Sequence, residues 1–119
     1  MQILYVGIGG AIGAILRYLI SLLPVRSDFP VLTLITNILG ALVIGMIVAL
    51  AAKYHLPDPV VLLLKTGLCG GFTTFSTFSL EAFNLMDSGK VGLGILYAAL
   101  SLVLCLAAVC LGEMLIGGR

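Results

Sequence analysis

The stretch Gly70-Gly71-Phe72-Thr73-Thr74-Phe75-Ser76-Thr77-Phe78-Ser79 decides how this chain is read. It lies inside a long apolar segment, yet it opens on two glycines and sets hydroxyl side chains among three phenylalanines. Glycine and β-branched threonine are poor material for an uninterrupted helix. Non-helical backbone at membrane depth persists only where protein or a water-filled cavity meets it. An interruption here therefore marks a functional site by default.

Outward from this stretch, Val60 to about Met86 reads as one membrane span. With the break taken at Gly70 to Thr73, each flank has about 10 to 13 residues, roughly half the bilayer thickness. The break is thus expected at the midplane. Ile3 to Leu23, Val31 to Ala52 and Val91 to about Ile116 are apolar runs of spanning length, for which about 20 residues suffice. The first run lacks a basic leader and is interrupted by Arg17, so it is expected to stay in the mature protein rather than act as a signal peptide. Short turns separate the runs: Pro24 to Pro30, Lys53 to Pro59 and Asp87 to Lys90. The expectation is an all-α integral membrane protein of one four-helix domain, 1–119, with spans of about 3–23, 31–52, 60–86 and 91–116.

Composition agrees. The 119 residues are 61% hydrophobic and 9% charged, with a mean hydropathy of +1.28, far from a soluble domain. A net charge of +1 offers no basic patch for nucleic acid. Cys69, Cys105 and Cys110 lie in apolar runs without metal or redox spacing and read as small buried hydrophobes. The single histidine, His55, sits in a loop beside prolines with no nucleophile or metal-ligand partner spaced around it, so the chain is not expected to be an enzyme.

The charges give little orientation. Lys53, Lys65 and Arg119 fall toward one side, and Arg17, Arg26 and Lys90 toward the other. The positive-inside rule has almost nothing to act on. Balanced charge predicts insertion in both orientations and hence an antiparallel, dual-topology homodimer. Four helices are also few for enclosing a pathway.

Several side chains could carry chemistry. Gly9 with Gly13, and Gly10 with Ala14, form a small-residue face suited to close helix packing in lipid. Arg17 is near enough to its helix end to snorkel, and it could equally draw anions to an aqueous vestibule. Thr33, Asn37 and Gly40 or Ala41 share a face of the second span. A carboxamide facing lipid has no partner, so Asn37 must face protein or a wet path. Tyr97, Ser101 and Cys105 repeat at steps of four in the last span, a weakly polar stripe. Phe75 and Phe78 share a face beyond the break. The positive edges of their rings would favour an anion, whereas carbonyls freed at Gly70 to Thr73 suit a small hard cation. Glu81 is an intramembrane acid about two turns past the break.

Taken together, Gly9-Gly10-x-x-Gly13-Ala14-x-x-Arg17-Tyr18, Thr33-x-x-x-Asn37-x-x-Gly40 and Gly67-x-x-Gly70-Gly71-Phe72-Thr73-Thr74-Phe75-Ser76-Thr77-Phe78-Ser79-x-Glu81 resemble the Fluc (CrcB) fluoride channels. The resemblance covers all four spans. It implies an antiparallel dual-topology homodimer in the cell membrane, with two pores that let fluoride leave the cytoplasm passively. Phe75 and Phe78 would be ring-edge fluoride ligands and Asn37 a pore donor. Thr33, Tyr97 and Ser101 would belong to a polar track, with Thr77 and Glu81 beside it. Gly70 and Thr73 would give backbone carbonyls to a central structural sodium ion, and Arg17 would stand near a vestibule. One departure is Cys105, a weak donor where the family often has serine.

The alternative is a small dual-topology multidrug/proton antiporter, also of four spans. That chemistry needs a carboxylate in the first span to exchange a proton for a cationic drug. The first span here carries Arg17 and no acid.

Overall fold

The computed structural model describes residues 1–117. It has α1 (Gln2–Ser21) and α2 (Val31–Tyr54), then a third span, Asp58–Asp87, assembled from several pieces. These are α3 (Asp58–Val61), a wide π-helical coil over Leu62–Cys69, α4 (Gly70–Phe72) and α5 (Phe75–Asp87). The last span is α6 (Val91–Gly117). All four spans are long and apolar enough to cross a bilayer. Where lipid offers no hydrogen-bond partners, the helix satisfies its own amides and carbonyls, and long apolar runs take that form. The all-helical, four-span membrane architecture expected from the sequence is the one the chain adopts.

Packing follows the membrane rule of small residues inside and large apolar residues outside. The buried positions of α1 are Gly9 and Gly13, while Ile3, Ile15 and Leu19 face outward. A methyl group added to Gly9 would meet the Gly67 Cα at 2.9 Å, and one added to Gly13 would meet the Phe72 amide nitrogen at 2.7 Å. The backbone of α1 therefore lies directly on the third span. The second tight pair is α2 with α6. Its glycines Gly45 and Gly112 approach opposing backbone, a methyl on Gly112 meeting the Met46 amide nitrogen at 2.9 Å. Between α2, α5 and α6 a buried cluster forms from Leu34, Ala82, Leu85 and Tyr97, with Phe29, Ile38, Phe78 and Leu93 packed against it.

The third span departs from a uniform helix in two places. Over Leu62–Cys69 the coil widens, and the Gly70 amide donates to the Lys65 carbonyl five residues back. Then Thr73 (φ −90°, ψ 152°) and Thr74 (φ −147°, ψ 123°) are extended between α4 and α5. The sequence places the interruption at Gly70 to Thr73, but Gly70, Gly71 and Phe72 are helical and the extended residues are Thr73 and Thr74. The reason is packing. A methyl on Gly71 would meet the Gly10 Cα at 3.0 Å, and one on Gly67 the Gly9 Cα at 2.9 Å. These two glycines serve the contact with α1, and the hydroxyl residues after them carry the change of direction.

The turn between α5 and α6 uses Gly89 at φ +93°, a backbone region that favours glycine. Its Lys90 amide donates to the Leu85 carbonyl at 2.8 Å. The Lys90 ammonium pairs with Asp28 at 2.6 Å, tying this turn to the loop between α1 and α2.

Candidate functional site

The centre of the site is the way Thr73 and Thr74 are held. Thr73 closes back on α4's approach: its amide and its hydroxyl both donate to the Cys69 carbonyl, at 3.0 and 2.8 Å. Thr74 is gripped from α2. Its amide donates to Asn37 Oδ1 at 3.1 Å, and its carbonyl accepts from Asn37 Nδ2 at 3.4 Å. Thr74 also caps α5, its Oγ1 accepting the Thr77 amide at 3.2 Å and donating to Thr77 Oγ1 at 3.3 Å. Threonine at an N-cap satisfies one of the orphan amides of a helix start.

This arrangement decides which carbonyls are left open. In a continuous helix the Thr74 amide would bond the Gly70 carbonyl and the Thr77 amide the Thr73 carbonyl. Here Asn37 takes the first amide and the Thr74 hydroxyl takes the second. The neighbouring Gly71 carbonyl accepts from Arg17 Nε at 3.3 Å. Gly70 itself is exposed on the protomer surface. Two neutral oxygens released from the helical ladder are the donor type that suits a sodium ion, so the residues present fit the cation expected from the sequence.

Beside the interruption lies a groove of about 430 Å³ between α2, α5 and α6. Asn37, Thr73, Thr74, Phe75, Phe78 and Ser101 line it, with Cys105 one turn beyond Ser101. Phe75 is 79% exposed. Its ring stands 5.6 Å from that of Phe78, tilted by 44°, and Phe78 in turn lies 5.1 Å from the Tyr97 ring. The Ser101 hydroxyl is buried and has no hydrogen-bond partner among the described residues. An unpaired buried hydroxyl is costly, and this one belongs to the wall of a groove.

The remaining polar residues continue away from the groove. Tyr97 is fully buried, and its hydroxyl donates to Glu81 Oε1 at 3.2 Å. Thr33 adjoins the same hydroxyl. Glu81 opens on a second cavity, of about 390 Å³, shared with Ser27, Asp28, Ser88 and Lys90 at the end of the spans. The chain thus brings Asn37, Phe75, Phe78 and Ser101 together at one groove. Thr33, Tyr97 and Glu81 stand in a second group behind Phe78, and Thr77 is engaged with the Thr74 cap. Arg17 is held against the third span rather than extended toward a helix end. The residue that sequence reasoning left without a role is Thr74. Its signal was available: a threonine two places before the next hydroxyl and three before Thr77, at the start of a helical run, is an N-cap pattern.

Residues 4–113 match the family described as CrcB-like protein, Camphor Resistance (CrcB). Among curated relatives, a protein of Azobacteroides pseudotrichonymphae is 45% identical over 118 residues, covering 96% of this chain and 94% of its own length. A protein of Ruminiclostridium cellulolyticum is 47% identical over 120 residues, covering 97% and 92%, and one of Shewanella amazonensis is 44% identical over 121 residues, covering 99% and 98%. Each of the three is named a fluoride-specific ion channel, FluC. With a family match across nearly all of its length and relatives at this identity, the chain belongs to the CrcB family.

Proposed function

We infer that the chain is a fluoride-selective ion channel, not an enzyme, embedded as a multi-pass protein in the cell membrane, and that it lets fluoride leave the cytoplasm passively. The observation that carries this reading is the Ser101 hydroxyl, without a partner among the described residues, in a groove that also holds Asn37, Phe75 and Phe78. A small anion shedding water needs donors without a fixed opposite charge to trap it. The groove offers a hydroxyl, a carboxamide whose second N–H is not spent on Thr74, and ring edges with a positive quadrupole. From there the track would run past Phe78 to Tyr97, Thr33 and Glu81 and out through the cavity at Lys90. Arg17, tethered to the Gly71 carbonyl, adds fixed positive charge beside the interruption.

The same reading includes an antiparallel homodimer with two pores. It is supported by the exposed polar positions of the third span: Thr66, Gly70, Ser76 and Ser79 are all exposed, as is the Phe75 ring. Within the protomer Ser76 Oγ bonds Thr74 Oγ1 at 3.1 Å, and lipid offers this surface no hydrogen-bond partners. A second copy in inverted orientation would cover it and close the groove. Thirteen residues of α5 follow the interruption, about 20 Å of helix, which would set the break near the bilayer midplane and near the two-fold axis. There the Gly70 and Thr73 carbonyls of both copies would hold a sodium ion, which when bound supplies a fixed positive charge joining the interrupted helices.

The competing class is the proton-coupled drug antiporter. Vesicles containing the purified protein, loaded with potassium fluoride, given valinomycin as the counter-ion path and held at equal pH inside and out with no drug present, separate the two. Rapid fluoride release supports the channel. No fluoride release, with transport of a cationic drug that requires a pH gradient, would replace it with the antiporter.

A further inference from the structure

The hydrogen bonds around Thr73 and Thr74 do more than interrupt a helix. Of the amides that would close the ladder across the interruption, the Thr74 N–H is captured by a side chain from α2 and the Thr77 N–H by the hydroxyl of Thr74. Each capture releases one particular carbonyl, Gly70 in the first case and Thr73 in the second. The Thr73 hydroxyl, which could otherwise compete locally, is spent on Cys69 at 2.8 Å, and its methyl packs against Gly40. Without the Asn37 oxygen, the Thr74 amide would be free to turn back to Gly70. Without the Thr74 hydroxyl, the Thr77 amide would be free to extend α5 by one bond to Thr73.

We propose that Asn37 and Thr74 are positioning residues of the cation site, holding the carbonyls of Gly70 and Thr73 open by occupying the two amides that would otherwise close them. The inference rests on the sodium reading above and deepens it. Asn37 has a second consequence, because the same carboxamide lines the groove beside Phe75 and Ser101. Cation binding and the anion path therefore share one side chain: whatever fixes the Asn37 oxygen on Thr74 also fixes where its remaining N–H points.

The test compares thermal unfolding of the purified protein in sodium chloride and in N-methylglucamine chloride of equal ionic strength. A ligand that binds only the folded state raises its midpoint, and the quantity read is the difference between the two media for each variant, so a general loss of stability cancels. Thr74→Val removes the capping oxygen while keeping the side-chain shape, and Thr74→Ser keeps the oxygen. The expected result is a sodium-dependent rise in the unaltered protein and in Thr74→Ser, and its loss in Thr74→Val. Asn37→Leu is expected to lose it as well. A full sodium-dependent rise in Thr74→Val overturns the positioning role while leaving the cation site standing. Absence of any rise in the unaltered protein removes the cation site itself, and the inference with it.

Discussion

The Asn37 side chain holds Thr74 by both of its main-chain groups, its Oδ1 accepting the amide at 3.1 Å and its Nδ2 donating to the carbonyl at 3.4 Å. A single carboxamide from α2 thus fixes the one place where the third span runs extended. Truncation leaves a part-buried amide unpaired, at a cost of about 1 to 3 kcal/mol. Asn37→Ala is expected to lower the unfolding midpoint and to slow fluoride efflux by about tenfold or more, the equivalent of about 1.4 kcal/mol in a barrier. Efflux followed with a fluoride electrode, beside size-exclusion chromatography of the same sample, checks both.

Ser101 gives the opposite pairing of effects. Its hydroxyl is buried without a partner among the described residues, so removing it relieves a desolvation cost of about 1 to 3 kcal/mol. Ser101→Ala is expected to be as stable as the unaltered protein or more so, and yet to carry less fluoride. Thermal unfolding and efflux measured on one preparation decide the matter. A loss of stability would mean that the hydroxyl serves the fold.

The two phenylalanines are expected to separate from each other. Phe75 is 79% exposed in the protomer, and its replacement disturbs little of the protomer's own packing. Phe78 touches both Phe75 and Tyr97, and such ring pairs contribute about 0.5 to 1.5 kcal/mol each beyond area burial. Phe75→Ile, which loses one ring pair, should reduce flux with a small drop in midpoint, whereas Phe78→Ile, which loses two, should reduce flux and lower the midpoint further.

Helix packing offers a control far from the groove. A methyl at Gly13 meets the Phe72 amide nitrogen at 2.7 Å, while one at Gly7 meets nothing within 4 Å. Overpacking of this kind costs about 1 to 3 kcal/mol. Gly13→Ala should lower the unfolding midpoint and Gly7→Ala should leave it unchanged, as read by thermal unfolding in detergent.

Much of the fold was legible because lipid imposes a simple demand: apolar runs of spanning length become helices. The small-residue pattern of Gly9 and Gly13 was legible for the same reason, since close backbone approach needs glycine whatever the partner. The position of the interruption was less so. Gly70 and Gly71 look like helix breakers by propensity, but propensity does not reveal that Gly71 is needed against Gly10. The wide coil over Leu62–Cys69 left no mark in the apolar pattern, because π and α turns bury the same kinds of residue. At the site, Asn37 was legible from cost alone, as a carboxamide that must find a partner. Which partner it finds depends on α2 and the third span meeting at one level, a tertiary fact. The separation of Ser101 in the groove from Tyr97 behind Phe78 likewise depends on how α5 lies on α6.

A groove of neutral donors and ring edges should select fluoride over chloride. Vesicles carrying the purified protein are loaded with equal concentrations of potassium fluoride and potassium chloride, the potassium gradient is discharged with valinomycin, and release of each anion is followed with its own electrode. Rapid loss of fluoride is expected while chloride stays inside. Equal release of the two anions, or release of neither, would contradict it.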